Sequence, residues 1–361
     1  MADTPLVGVS SVEDLRAFRF ASAASVGLDT INDILNRELA ALNNSMTDGL
    51  RLLADPLTEQ QRIYGTSYRR AMQEVDEHGV PDSKKAQPGQ TVGFPLRRFA
   101  VTLGWTRDAL KRKTPAELAE DFISVRSGYN YEVIKQIKKA AYLKTNFTFV
   151  DELTNGVSLG VKRFLNADGA KIPDAPNGTS FTGATHTHYN AMTGSAVANV
   201  DINTLVDHVT EHGHNNGLLL AVAESDAPTI SALSNFKNAL DAGLITPSPT
   251  TQTFGAVAAP QLGDNRLIGF WRNSAVAVWI KPWAVAGRYA CFGTGSGEKP
   301  LGYRQPAFAG LQGLRFNSID ERLTILAQLI EAEFGFGVWD RTAGAFLDVV
   351  NQATWSDPTI S

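Results

Sequence analysis

The chain has 361 residues, long enough for two domains or for one core with elaborations. Hydrophobic residues make up 43% and charged residues 19%, which is globular material and excludes a disordered tail. A net charge of −4 and a pI near 5.9 argue against tight, salt-sensitive binding to nucleic acid or to an anionic membrane.

The opening stretch, MADTPLVGVSSVEDLRAF, has no positive region followed by an apolar run, so it does not read as a secretory signal. No window approaches the roughly eighteen continuous apolar residues of a membrane-spanning helix. A soluble chain made in a cytoplasm is expected. The one cysteine, Cys291, cannot form an internal disulfide and reads as a small buried hydrophobe in a reducing compartment.

Ile31, Ile34, Leu35, Leu39, Leu42, Leu50 and Leu53 recur at threes and fours, which predicts a helix within 25–54. It reads as an amphipathic arm ahead of the main core. A two-stranded ribbon is expected next, over 58–107, and the polar, turn-rich EHGVPDSKKAQPGQ at 77–90 would make its tip. On the return side Val92, Phe94 and Leu96 share one parity, whereas Phe99, Val101, Leu103 and Trp105 share the other. Strand side chains alternate faces, so the switch at Arg97 and Arg98 predicts a bulge or sharp bend. Pro95 favours it by removing a ladder donor. As outgoing partners Tyr64, Tyr68 and Met72 share a parity, but they also fit helical spacing. Isolated hairpins are marginal in water, so a ribbon carried away from its own core implies cover from another subunit.

TPAE at 114–117 marks a helix start: Thr114 caps, Pro115 suits the first turn and Glu117 completes a capping box. Leu118, Phe122, Val125, Tyr129, Ile134, Ile137 and Ala141 extend it into a spine of roughly 45 Å at 1.5 Å per residue. Gly128 is a candidate kink. Residues 165–200 read as loop. A second unit over 201–310 alternates a helix at 201–212, the strand GLLLAVAE, a helix from Ser225 through Phe236, and the strands RLIGFW and AVAVWI. Near the end, Leu326, Ile330, Phe334, Phe336 and Val338 share one parity, and the turn RTAG would fold Ala345–Val350 back on them as a long antiparallel hairpin.

Five of the six histidines lie between 186 and 214. His208 and His212 are four apart on the predicted helix, with Glu211 and Asp207 nearby, and His186, His188 and His214 could join them around zinc. The full His-Glu-x-x-His pattern is missing and the first pair lies in a loop, so solvated histidines at a helix end are expected instead. GTGSGEKP at 293–300 fails as a phosphate loop, because Glu298 precedes Lys299 and Pro300 replaces the magnesium-binding hydroxyl. No G-x-S-x-G elbow or paired carboxylates in a cleft point to catalysis. Arg69-Arg70, Arg97-Arg98 and KRK at 111–113 make the ribbon and its root basic. They read either as a solvated edge that deters wrong strand pairing or as cations that meet acids of an adjacent subunit.

In the order of these parts, the chain resembles the major capsid proteins of tailed bacteriophages, the Hong Kong 97-like α+β fold. GQTVGFPLRRFAVTLGWTRDAL at 89–110, the spine from Thr114 and EAEFGFGVWDRTAGAFL carry the likeness. It implies an N-terminal arm at 1–57 and an extended loop at 58–107. A peripheral domain would span 108–200 and 311–361, and an axial domain 201–310. It further implies a structural, non-enzymatic subunit without cofactor, whose hexamers and pentamers close an icosahedral head around double-stranded DNA in the virion, assembled in the host cytoplasm. Portal, scaffolding and decoration proteins are the implied further partners, with no membrane.

The loop would reach over a neighbour, with Asp82, Lys84, Lys85, Arg97 and Arg98 as inter-subunit contacts. Some relatives join a loop lysine to a neighbour's asparagine; Lys84 or Lys85 with Asn351 is the conceivable pair here, but no acid is assignable as catalyst and no cross-link is expected. With only residues 1–57 ahead of the loop, any scaffold is expected to be separate. The alternatives are an encapsulin-type compartment of the same fold and a metal-dependent hydrolase built on the histidines.

Overall fold

The computed structural model describes residues 11–19, 21–23, 27–64, 74–75, 77, 79, 89–239, 266–272, 275–295, 297–322, 325–351 and 354–360 of a mixed α+β chain. Tyr68, Arg69, Arg70 and Met72 of the expected outgoing strand and Asp82, Lys84 and Lys85 of the expected tip lie outside the described residues. Helices α1 (Val12–Leu15) and α2 (Leu28–Leu50) come first. Strands β1 (Ala54–Leu57), β2 (Gln61–Tyr64), β3 (Gln90–Gly93) and β4 (Arg97–Thr106) follow, then helices α3 (Arg107–Arg112) and α4 (Pro115–Tyr142). The middle of the chain holds β5 (Phe147–Asp151), β6 (Val157–Val161), β7 (Tyr189–Ala191), α5 (Asn199–Thr210), β8 (Leu218–Val222) and α6 (Ala227–Ser231). Among the described residues the later strands are β9 (Phe236–Asn238), β10 (Arg266–Trp271), β11 (Val276–Ile280), β12 (Arg288–Gly293), β13 (Leu301–Arg304), β14 (Leu314–Arg322), β15 (Ile325–Val338) and β16 (Gly344–Asp348), with a short 3-10 helix at Ala309–Leu311.

The spine forms as its sequence dictates. The Thr114 hydroxyl accepts from the Glu117 amide at 3.3 Å, and the Glu117 carboxylate accepts from the Thr114 amide at 2.7 Å. Helix α4 then runs through Gly128 without interruption. Its buried side chains, among them Phe122, Tyr129, Val133 and Ile137, share one core with those of β15, and Phe122 meets Phe316 of β14. Helix α2 joins the same core through Ile31, Ile34 and Leu39, and its Asn43 side chain exchanges two hydrogen bonds with the Leu314 backbone. The expected free-standing arm is therefore part of the main core over α2.

Strand β15 organises a five-stranded sheet. It pairs antiparallel with β14 and β4 along its first part and with β13 along its last, and β1 lies parallel beyond β13. Its two faces differ. Ile330, Ala332, Phe334, Phe336 and Val338 are buried toward α4, with Tyr129 edge-on to Phe334 at 5.6 Å between ring centres. On the opposite face Glu331 and Glu333 pair with Arg315 at 2.7 and 2.9 Å. There, at Gly335 and Gly337, the chain 93–95 crosses so closely that an added Cβ on Gly335 would collide with the Pro95 carbonyl.

Three expectations are corrected by the strand pairing. Residues 97–106 do not belong to the ribbon expected over 58–107: β3 pairs β2, but after 94–96 the chain changes partner and β4 pairs β15, from Arg97 opposite Phe334 to Thr106 opposite Ile325. The parity switch records this change of sheet. Nor does RTAG close a hairpin. Strand β15 turns back on β14, and the segment 339–343 carries the chain into a second sheet, where β16 lies between β12 and β7. Finally, the helix expected from Ser225 through Phe236 stops at Ser231, and Phe236 opens β9.

The second sheet has seven strands in the order β7-β16-β12-β8-β11-β10-β9. It draws β7 and β16 from outside 201–310, while β13, inside that range, belongs to the first sheet. Both faces are covered. Ile202, Leu205, Val206 and Val209 of α5 pack on one; Leu219, Ala221, Phe292 and Phe346 of the other join the spine core. This explains why β8 is apolar at every position.

The crossing between sheets is held by Arg341. Its fully buried guanidinium donates to the Arg163 carbonyl at 2.6 Å and to the Asn166 side chain at 3.0 Å, and pairs with Asp168 at 3.1 Å. Burial alone would push the Asp168 carboxyl up, but Arg341 and Lys162 outweigh it and bring it to about 2.

Two glycine substitutions should separate close approach from flexibility. Gly335→Ala is expected to destabilise the chain by about 1–3 kcal/mol in denaturant unfolding through the forced contact with Pro95. Gly128→Ala meets open space on an exposed helix face and should instead stabilise it, by up to about 1 kcal/mol.

Candidate functional site

Two constellations stand out, the root of the ribbon and the histidine cluster. At the root, Leu57, Val92, Phe94 and Trp339 form a small apolar cluster of their own, capped by the Arg62 guanidinium 3.2 Å above the Trp339 ring centre. Beneath it lies a buried ion pair, Arg304 with Asp151 at 2.7 Å, both side chains at most 2% exposed. Arg304 also donates to the Phe94 carbonyl at 2.7 Å and to the Thr154 hydroxyl at 3.1 Å. Gln60 donates to Asp151 at 2.8 Å, and its own carbonyl accepts from the Phe94 amide at 2.8 Å. One charge pair thus ties β13, the β5–β6 hairpin and both sides of the ribbon. The sequence reading missed it. Its only signal is an arginine ending the apolar strand LGYR.

Of the residues expected at subunit contacts, Arg97 and Arg98 lie within the described chain. Arg98 pairs with Glu331, and the Arg97 guanidinium stands 4.9 Å from the Phe149 ring centre. Both begin β4, which has β15 on one side and no strand on the other among the described residues. Between β4 and α4 runs a groove of about 530 Å³ lined by Val101, Leu103, Val125, Tyr129 and Ile330. Ile63 on the ribbon is 67% exposed and Phe308 71%. Asn351 donates to the Asp348 carboxylate at 2.8 Å.

The histidines are not solvated. The segment 181–188 is irregular but fixed: the His188 amide donates to the Leu165 carbonyl at 2.7 Å, and the Phe346 amide to the His188 carbonyl at 2.7 Å. Helix α5 ends at Thr210, so His212 lies in the following turn and folds back toward His186 and His188. The Nε2 atoms of these three rings form a triangle: 3.2 Å from His186 to His188, 3.1 Å from His186 to His212, and 3.2 Å from His188 to His212. Glu211 Oε1 is 3.4 Å from His186 Nε2, 3.9 Å from His212 Nε2 and 3.0 Å from His208 Nδ1. Phe181 lies against the His186 and His212 rings at 4.7 and 4.3 Å. Burial pushes His188 well below the usual histidine range and His212 down to about 3. His214 stands apart, its Nε2 2.8 Å from the Thr342 hydroxyl and 3.4 Å from Asp340.

The cysteine and the glycine-rich loop are both built into the frame of the protein. Cys291 is buried in β12, and burial pushes its thiol up to about 12. The glycine-rich loop is tied back: Thr294 donates to the Gly217 carbonyl at 2.6 Å, and the Lys299 amide to Asp55 at 3.0 Å. Among the described residues no helix is long and apolar enough to cross a membrane.

No protein-family model and no curated protein sequence matches the chain. Solved structures do. A chain from Mycobacterium phage Patience matches with a TM-score of 0.65 at 19% identity, over 99% of this chain and 97% of that one. The capsid of a native GTA particle matches at 0.47 and 15% identity, over 84% and 90% of the two chains. The holo-SrpI encapsulin complex of Synechococcus elongatus matches at 0.41 and 12%, over 86% and 89%. The last two scores are too low to build on. The chain shares its fold with that phage chain over nearly the whole length of both.

Removing one partner of the buried pair tests the root. Asp151→Ala leaves the Arg304 charge uncompensated and is expected to lower stability by about 3–5 kcal/mol, measured by denaturant unfolding.

Proposed function

We propose that the chain is the structural subunit of a phage head, with copies joining as hexamers and pentamers into an icosahedral shell around double-stranded DNA. The observation that carries this reading is the fold shared with a phage protein over 99% of the chain. The exposed Ile63 and Phe308 and the open groove beside β4 support it, because apolar surface left uncovered on one chain suits contact with another.

The role is mechanical and non-enzymatic. Each subunit contributes modest contacts, and symmetry multiplies them into a closed shell. In Hong Kong 97-like terms the arm is 1–57 and the extended loop lies within 58–107, with β4 joined to the first sheet. The peripheral domain is 108–200 with 311–361, and the axial domain 201–310 is completed by β16. The loop tip, with Asp82, Lys84 and Lys85, lands on a neighbour's polar surface and sets register by charge. Arg97 and Arg98 line the open edge of β4, where a neighbour can meet them while they keep their partners within the chain. A net charge of −4 suits loose, non-specific contact with packaged DNA. Portal, scaffolding and decoration proteins are the further partners, and the virion, filled after assembly in the host cytoplasm, is the site of action.

Negative-stain microscopy and size measurement of the expressed chain test this. Closed particles, tubes or irregular shells are expected; a lone monomer at high concentration would sink the proposal. Particles that carry protein cargo and exclude DNA would favour an encapsulin instead. Replacing residues 65–88 with a short turn should leave a folded chain that no longer forms particles.

A further inference from the structure

We infer that His186, His188, His212 and Glu211 form a binding site for one divalent transition ion of the zinc class. Ligand atoms at about 2.0–2.1 Å from a tetrahedral zinc stand about 3.3–3.4 Å from one another. The three Nε2 atoms are 3.1–3.2 Å apart, and the Glu211 oxygen lies 3.4 and 3.9 Å from two of them. These spacings are within reach of a metal polyhedron after small adjustments.

Proton accounting points the same way. His188 Nδ1 is 2.7 Å from the Gly344 carbonyl, which can only accept, so this nitrogen carries the proton and Nε2 presents a lone pair to the other rings. Neutral His186 and His212 can each place a proton toward or away from the centre. Every choice leaves at least one edge of the triangle with two lone pairs, or two N–H groups, face to face. A cation at the centre removes the conflict, since all three nitrogens then donate electron pairs to it.

The surroundings are those of a built site. His188 is fully buried and the His212 side chain is 2% exposed. The Gly344 carbonyl orients His188, and His208 Nδ1 holds Glu211 at 3.0 Å, the outer contacts that fix metal ligands. Phe181 covers two rings. A ligand atom of His208 also lies within 4.8 Å of those of His186, His188 and Glu211, where it backs the carboxylate from outside. Three imidazoles and a carboxylate select zinc-like ions over calcium or magnesium, which prefer oxygen. Four protein ligands leave no open position for a reactive water, so the ion acts as a staple joining segment 181–188 and the end of α5 to the edge of the seven-stranded sheet.

The test uses untagged full-length chain from zinc-supplemented medium, with metal content read by plasma mass spectrometry whether or not particles form, so its outcome is separable from that of the assembly reading. About one zinc per chain is expected, with a thermal midpoint that falls on chelation and returns with zinc but not magnesium. His186→Ala and His212→Ala should lose the stoichiometric ion, whereas His208→Ala should keep it with about 10–100-fold weaker affinity. Should these variants fail to fold, cobalt added to the chelated parent chain serves instead, and a visible spectrum of tetrahedral type is expected. Metal below roughly 0.1 per chain with no effect of chelator or added zinc, or full metal content in the His186→Ala/His212→Ala double variant, would overturn the proposal.

Discussion

The structure depends on the two-faced character of β15. On one side its aromatic and aliphatic residues, from Ile330 to Val338, lie on the spine helix, and burying each large side chain contributes about 1.5–3 kcal/mol. On the other side the same strand carries Glu331 and Glu333, which arginines neutralise, and then Gly335 and Gly337, over which the ribbon root passes. A one-residue slip would put Phe334 and Phe336 where the backbone of 93–95 runs, and both acids against the spine. Register is therefore fixed by steric and electrostatic conflict together.

From this strand the fixed parts of the molecule radiate. The crossing over Gly335 delivers Phe94 to Arg304, and Arg304 joins Asp151, so the base of the ribbon is clamped between β13 and the β5–β6 hairpin. A buried ion pair of this kind is weak evidence for net stability, because desolvation offsets much of the attraction. Its value lies in geometry: only one placement of the ribbon satisfies the charge, the Phe94 carbonyl and Gln60 at once. Such a root fixes the direction in which the chain leaves at Tyr64 and returns at Gln90.

The far end of β15 leads into the second sheet through Arg341, whose guanidinium meets the carbonyls and side chains of 163–168. That contact orders the start of the irregular segment whose later residues, His186 and His188, meet His212 beyond α5. A continuous set of buried polar contacts thus connects the first sheet to the histidine cluster, with β16 supplying the Gly344 carbonyl that orients His188. The cluster belongs to the frame of the seven-stranded sheet and not to a cleft.

Local signals were legible without coordinates. The capping box at Thr114, the periodicity of α2 and α4, the all-apolar β8 and the parity switch at Arg97 each depend on neighbours within a turn or a strand, and each appears in the structure where the pattern put it. What the switch meant was not legible, because a change of face by bulge and a change of partner strand leave the same trace. The same limit made RTAG read as a hairpin turn, when the sheet to be joined was set by Arg341 and residues 163–168, more than 170 positions away. Histidine spacing could pair His208 with His212 on a helix, but the convergence of His186, His188 and His212 required the helix to end at Thr210 and the segment 181–188 to be held in place. Sequence alone determined the elements and their polarity, since those follow from short-range sterics and hydrogen bonding. Strand partners, the clamped ribbon root and the metal-sized triangle of nitrogens were decided by tertiary packing, where residues remote in the chain compete for the same buried space.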